Sequence, residues 1–147
     1  MVSSRVDASR PPAGSARPGP GSVAWRIHRE RVMLLSWGRA IALQLAHPLV
    51  AAGVAHHSAF GGAPRENRMR LHRTVQAMLD LTFGTPAQAE AAAARIDGIH
   101  GEVTGRLDEA AGAHPAGTPY AARMPELLLW VYATLLDSGL IVYERYI

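Results

Sequence analysis

An all-α bundle of about five helices is what this sequence predicts, and three observations carry that reading. Apolar residues recur at three- and four-residue steps over long stretches. Caps, prolines and glycines fall at the ends of those stretches. No stretch reads convincingly as a strand. At 147 residues the chain has a one-domain length, enough to bury roughly 68% of the surface its unfolded form exposes.

Residues 1–21 are rich in Arg, Ser, Pro and Gly and read as a flexible tail before a domain spanning 22–147. Ser22 is placed to cap a first helix reaching Trp37, with Gly38 as its break. A second helix is expected from Arg39 to about Val54, kinked at His47 by Pro48. After a turn at Gly61-Gly62-Ala63-Pro64, a third runs from about Arg65 to Phe83, with Leu71, Val75, Met78, Leu79 and Thr82 as its apolar row. Gly84 ends it. Thr85-Pro86-Ala87-Gln88 then opens a fourth, with a Thr N-cap, Pro at the first helical position and Gln three residues after the cap. Its apolar positions Ile96, Ile99, Val103 and Leu107 enclose His100. A Pro- and Gly-containing loop leads from Gly112 to Arg123, and a fifth helix begins near Pro125. That last helix is apolar on every side and should be covered all round. The chain stops at Ile147 with no further element to cover it, so an incomplete domain or a self-associating protomer is expected.

Composition narrows the function classes. The hydrophobic content of 48% and charged content of 18% describe a soluble globular protein. There is no cysteine, which excludes disulfides, thiolate metal sites and a Cys nucleophile within this sequence. The net charge of +3 is concentrated in residues 1–31, which carry six arginines against two acids. The remainder is close to neutral, so nucleic acid is not an expected partner. The sequence shows no export signal, and the longest stretch free of Arg, Asp and Glu, Ala40 to Pro64, contains Gln44, His47, Pro48, His56 and His57. That composition suits a buried helix better than a bilayer span, so a cytoplasmic protein without a transmembrane segment is expected.

His100 is the foremost candidate for chemistry. An imidazole facing a core needs a partner, because a buried polar group without one costs about 1–3 kcal/mol. The partner is either a carbonyl or carboxylate, or a metal such as a haem iron held by one proximal imidazole. Arg70, Arg73 and Thr74 lie one turn apart on the third helix and form either a solvated edge or a clamp for a carboxylate or phosphate. His47, at the kink, is expected to satisfy freed carbonyls. His56-His57 is a poor chelating pair, since helical neighbours point about 100° apart. Neither a zinc motif nor the Glu-x-x-His pattern of a diiron bundle is present, and there is no nucleophile elbow, P-loop or dinucleotide fingerprint.

Four ordered segments carry a family resemblance. They are Gln44-Leu45-Ala46-His47-Pro48-Leu49-Val50-Ala51-Ala52-Gly53-Val54 with His57-Ser58; Arg70-Leu71-His72-Arg73-Thr74 with Phe83-Gly84; Ile99-His100-Gly101-Glu102-Val103; and Pro119-Tyr120, Pro125-Glu126-Leu127-Leu128-Leu129-Trp130-Val131 with Tyr143-Glu144-Arg145. Together they resemble the mpaB-type oxygenase family, which includes the rubber-cleaving latex-clearing proteins, over about residues 22–147. The resemblance implies an all-helical haem b protein that cleaves carbon–carbon double bonds of isoprenoid chains with dioxygen. It further implies that His100 is the proximal iron ligand and that Arg70 and Thr74 set the haem and its distal side. Arg73 stands where latex-clearing proteins carry a lysine that can cap the iron, and Tyr132 where members often have His. A guanidinium stays protonated and does not ligate iron readily, so no lysine-type capped state is expected. Family domains continue with further helices beyond the position of Ile147. A different outcome consistent with the sequence is a non-catalytic helical module that self-associates or binds a partner through its C-terminal helix.

Overall fold

The computed structural model describes residues 19–57 and 64–147, the side chains of Pro64, Glu66, Asn67 and Arg70 excepted. Most of the expected tail (1–18) and the expected turn at residues 61–63 therefore lie outside the described residues. The described elements are α1 (Val23–His28), α2 (Met33–Leu45), α3 (Pro48–His57), α4 (Pro64–Phe83), α5 (Pro86–Glu102), β1 (Thr104–Arg106), β2 (Pro119–Ala121) and α6 (Pro125–Tyr146). Among the described residues the fold is all-α apart from one two-stranded antiparallel ribbon, which the sequence did not announce.

Helix boundaries follow the local signals where those are strong. Thr85 closes a full capping box on α5, accepting from the Gln88 backbone while the Gln88 side chain accepts from the Thr85 N–H. Ser22 caps α1 through the Trp25 N–H. Pro48 breaks the second expected helix outright rather than kinking it and becomes the first residue of α3. His47 then accepts the Leu49 N–H on its Nδ1, so it satisfies a donor at the new helix start rather than a freed carbonyl.

The break expected at Gly38 lies elsewhere. The chain tightens into three-residue turns between Arg29 and Val32, and Gly38 sits inside α2. Packing decides this. α1 is drawn onto the end of α4, where Trp25 meets Phe83 edge-on at 4.9 Å between ring centroids, while α2 runs antiparallel along α6. One interior glycine costs a helix only about 1 kcal/mol, too little to stop α2 from following its partner.

The α2–α6 seam is small and polar. Ser36, Ala40, Thr134 and Ser138 are buried along it, and the Met33 methyl packs beside Gly139. Arg39 Nη1 donates to Asp137 Oδ2 at 2.6 Å and to Ser138 Oγ at 2.9 Å, and Gln44 Nε2 donates to Thr134 Oγ1 at 3.2 Å. The large apolar residues face outward: Leu34 and Leu35 on α2, and Leu129, Tyr132, Leu136 and Leu140 on α6, Leu129 being 66% exposed. This polarity is the reverse of a helix pair built to stand alone in water. Among the described residues α6 alone is long and apolar enough to cross a membrane, by length and composition only.

The other hairpin, α4–α5, turns at Gly84-Thr85, with Arg95 reaching Asp80 at 3.7 Å. The buried face of α5 steps through Ala89, Ala92 and Ile96 to half-buried His100. Ile99, expected in that row, is 59% exposed, and Leu107 lies beyond the helix in the loop after β1. Leu49, Leu107, Tyr120 and Leu127 form a compact core where α3, the ribbon and the start of α6 meet.

Candidate functional site

α5 positions His100 in its last turn, on the face continued from Ala92 and Ile96. Among the described residues no group hydrogen-bonds its imidazole, so the carbonyl or carboxylate partner weighed from the sequence is absent there. The ends of this turn are held from outside. Arg123, before α6, grips Asp97 with Nε to Oδ1 at 3.0 Å and Nη2 to Oδ2 at 2.7 Å, and also donates to the Asp97 carbonyl. Its guanidinium lies against Gly101, where a methyl group would come within 3.1 Å. A two-pronged arginine clamp of this kind fixes direction as well as distance.

The Asp80–Arg95 pair sets the register of the α4–α5 hairpin. Five residues further along α5, about 7.5 Å of rise, His100 comes to the level of about Val75 on α4. Thr74 and Arg73 therefore fall on the neighbouring turn, although both are exposed and neither hydrogen-bonds His100. Arg73 lines a shallow concavity of about 360 Å³ with Arg68, Met69 and His72. The hollow is wide open to solvent and lined by α4 alone, and it presents two guanidiniums suited to carboxylates. Arg70 belongs to α4, but its side chain lies outside the described residues.

A second constellation was not read from the sequence. His56 and His57, considered only as a metal pair, take separate partners. His57 Nε2 lies 3.0 Å from the Thr104 carbonyl, while His56 Nδ1 lies 2.8 Å from the Tyr120 hydroxyl and its Nε2 3.1 Å from Asp108 Oδ2. Tyr120 is buried, and desolvation first, then the Asp108 charge, push its phenol above the ordinary tyrosine range. No local signal links these three residues. They meet only because β2 folds back on β1 beneath the end of α3. Among the described residues no three His, Asp or Glu side chains gather in a metal-binding group.

His47 sits between Trp130 and His114, each 5.7 Å away between ring centroids, and so joins the start of α6 to the bridged turn at Ala111 and His114.

A family model described as ER-bound oxygenase mpaB/B'/Rubber oxygenase, catalytic domain, matches residues 25–147. No curated protein and no solved structure matches the chain.

Proposed function

Because the chain belongs to the mpaB/rubber oxygenase catalytic-domain family, we propose that it is a haem b-dependent oxygenase domain with His100 as the iron ligand. The observation that carries this reading is the half-buried His100 imidazole, which has no hydrogen-bond partner among the described residues. Such a nitrogen is open to a ligand from outside the chain, water or a metal ion, and the family favours the metal.

The chemistry of two features is compatible with the group. Arg68 and Arg73 offer cationic contacts for its carboxylates from the concavity on α4. The Arg123–Asp97 clamp holds the turn of α5 that carries His100, which orients the imidazole. By the motif resemblance, we place Arg70 and Thr74 on the same side as part of this proposal. Bound haem would supply the activation of dioxygen, and the chain would supply orientation and an apolar path for the substrate. The substrate class we infer is an apolar, isoprenoid chain cleaved at its double bonds.

The test is spectroscopic. Purified protein supplied with haem should show a Soret band that is lost or shifted in His100→Ala and retained in His114→Ala. Equal spectra in both variants and the parent would overturn the assignment of His100.

A second reading has its own observation, the outward Leu face of α6. The chain would then be a non-catalytic module that self-associates through that face. Iron far below one per chain, together with an intact helical circular dichroism spectrum, would favour it over the oxygenase.

A further inference from the structure

A buried phenol, an imidazole and a surface carboxylate are connected in series from the interior to solvent. The Tyr120 ring is 3% exposed and the Asp108 side chain 82% exposed, with His56 between them at 2.8 Å and 3.1 Å. A carboxylate only accepts, so His56 Nε2 carries the proton toward Asp108 and Nδ1 presents its lone pair to the phenol. The Tyr120 O–H therefore donates to His56. In the resting state the proton stays on Tyr120, since burial and the Asp108 charge both disfavour the phenolate.

Loss of one electron reverses that preference. An oxidised phenol is a strong acid, and a buried one releases its proton only to a base already in contact. His56 is that base, and Asp108 is placed to stabilise the imidazolium that results. We propose that Tyr120 is a redox-active tyrosine with His56 as its proton acceptor. One electron passes from the phenol to a one-electron oxidant, the O–H bond breaks, and the proton moves to His56 Nδ1. A neutral phenoxyl radical and an imidazolium paired with Asp108 remain; one electron returned from the reduced oxidant sends the proton back.

In a haem-loaded chain the oxidant would be the oxidised iron, and to that extent the proposal rests on the reading of His100. Val103, three residues after His100, joins the core cluster around Tyr120, and both side chains flank Gly53. A radical parked on Tyr120 would draw oxidising equivalents away from the iron when no substrate is in place.

The experiment uses the full chain without added haem, so that failure of the haem reading leaves it intact. Tyr132, Tyr143 and Tyr146 are replaced by Phe, which leaves Tyr120 as the sole tyrosine. Flash-generated tris(bipyridine)ruthenium(III) serves as the oxidant, and the radical is followed by transient absorption and electron paramagnetic resonance. A tyrosyl signal is expected in this parent and none in Tyr120→Phe, which keeps the ring and its packing. His56→Leu should slow the oxidation by about tenfold or more, the equivalent of losing one charge-assisted hydrogen bond. The parent should also react more slowly in deuterated water, which tests the coupled proton without any substitution. Absence of the tyrosyl signal, or rates unchanged by both His56→Leu and deuterium, would overturn the proposal.

Discussion

Gly105 and Tyr120 are directly opposed in the β1–β2 ribbon, and a methyl group at position 105 would lie 2.5 Å from the Tyr120 hydroxyl. The phenol is folded across its cross-strand partner, which only glycine permits. From there the hydroxyl reaches His56 on α3. The smallest residue in the ribbon thus sets the position of the most deeply buried aromatic ring in the core.

Gly105→Ala should push the Tyr120 hydroxyl off His56 and cost about 1–3 kcal/mol, as overpacking does in a filled core. Gly38→Ala is the matched control. Nothing lies within 4 Å of its added methyl, and relief of an interior helix glycine should stabilise α2 by about 0.5–1 kcal/mol. Urea denaturation of the two variants should shift in opposite directions.

Alkaline titration should single out Tyr120. Its raised pKa means that the folded protein keeps this proton after the unfolded chain has lost it. Its contribution to stability is full below about pH 10 and is lost as pH rises from there through the folded value. The tyrosinate absorbance of Tyr120, read as the difference between the parent and Tyr120→Phe, should appear only above the ordinary tyrosine range. A Tyr120 signal that rises within that range in the folded protein would contradict this.

His28 should act in the opposite pH range. Burial lowers its pKa, so the folded state resists protonation that the unfolded chain accepts. Stability from this group is present above about pH 6.5 and falls away as the pH drops through the folded value. His28→Gln should flatten that acid limb in thermal melts recorded between neutral and mildly acidic pH.

The α2–α6 pair should respond to substitution in an inverted sense. Ser138 is fully buried beside Arg39, so Ser138→Leu should destabilise by about 1–3 kcal/mol through overpacking and loss of an acceptor. Leu136→Glu and Leu140→Glu, on faces 50% and 56% exposed, should leave the helical content intact. They should also lower the mass seen by light scattering, because large exposed apolar patches drive association. A parent chain that is already a clean monomer would remove the basis for this expectation.

Some of this structure was written locally. The capping box at Thr85, the start of α6 at Pro125 and the break at Pro48 are each encoded within four or five residues, because caps and prolines act on the nearest backbone groups. The ordered motifs around His47, Arg70, His100 and Trp130 were enough to point to the family that the 25–147 match shows. Tertiary packing decided the remainder. It moved the first break from Gly38 to residues 29–32, turned Ile99 outward, and set Leu and Ile side chains of α2 and α6 away from their mutual seam. It also brought Asp108, His56 and Tyr120 together across 64 residues of sequence between imidazole and phenol. Periodicity names the apolar positions of a helix but not which neighbour each will meet. Long-range pairing is settled by the loop closures and side-chain volumes of the whole chain, and no short window of sequence contains them.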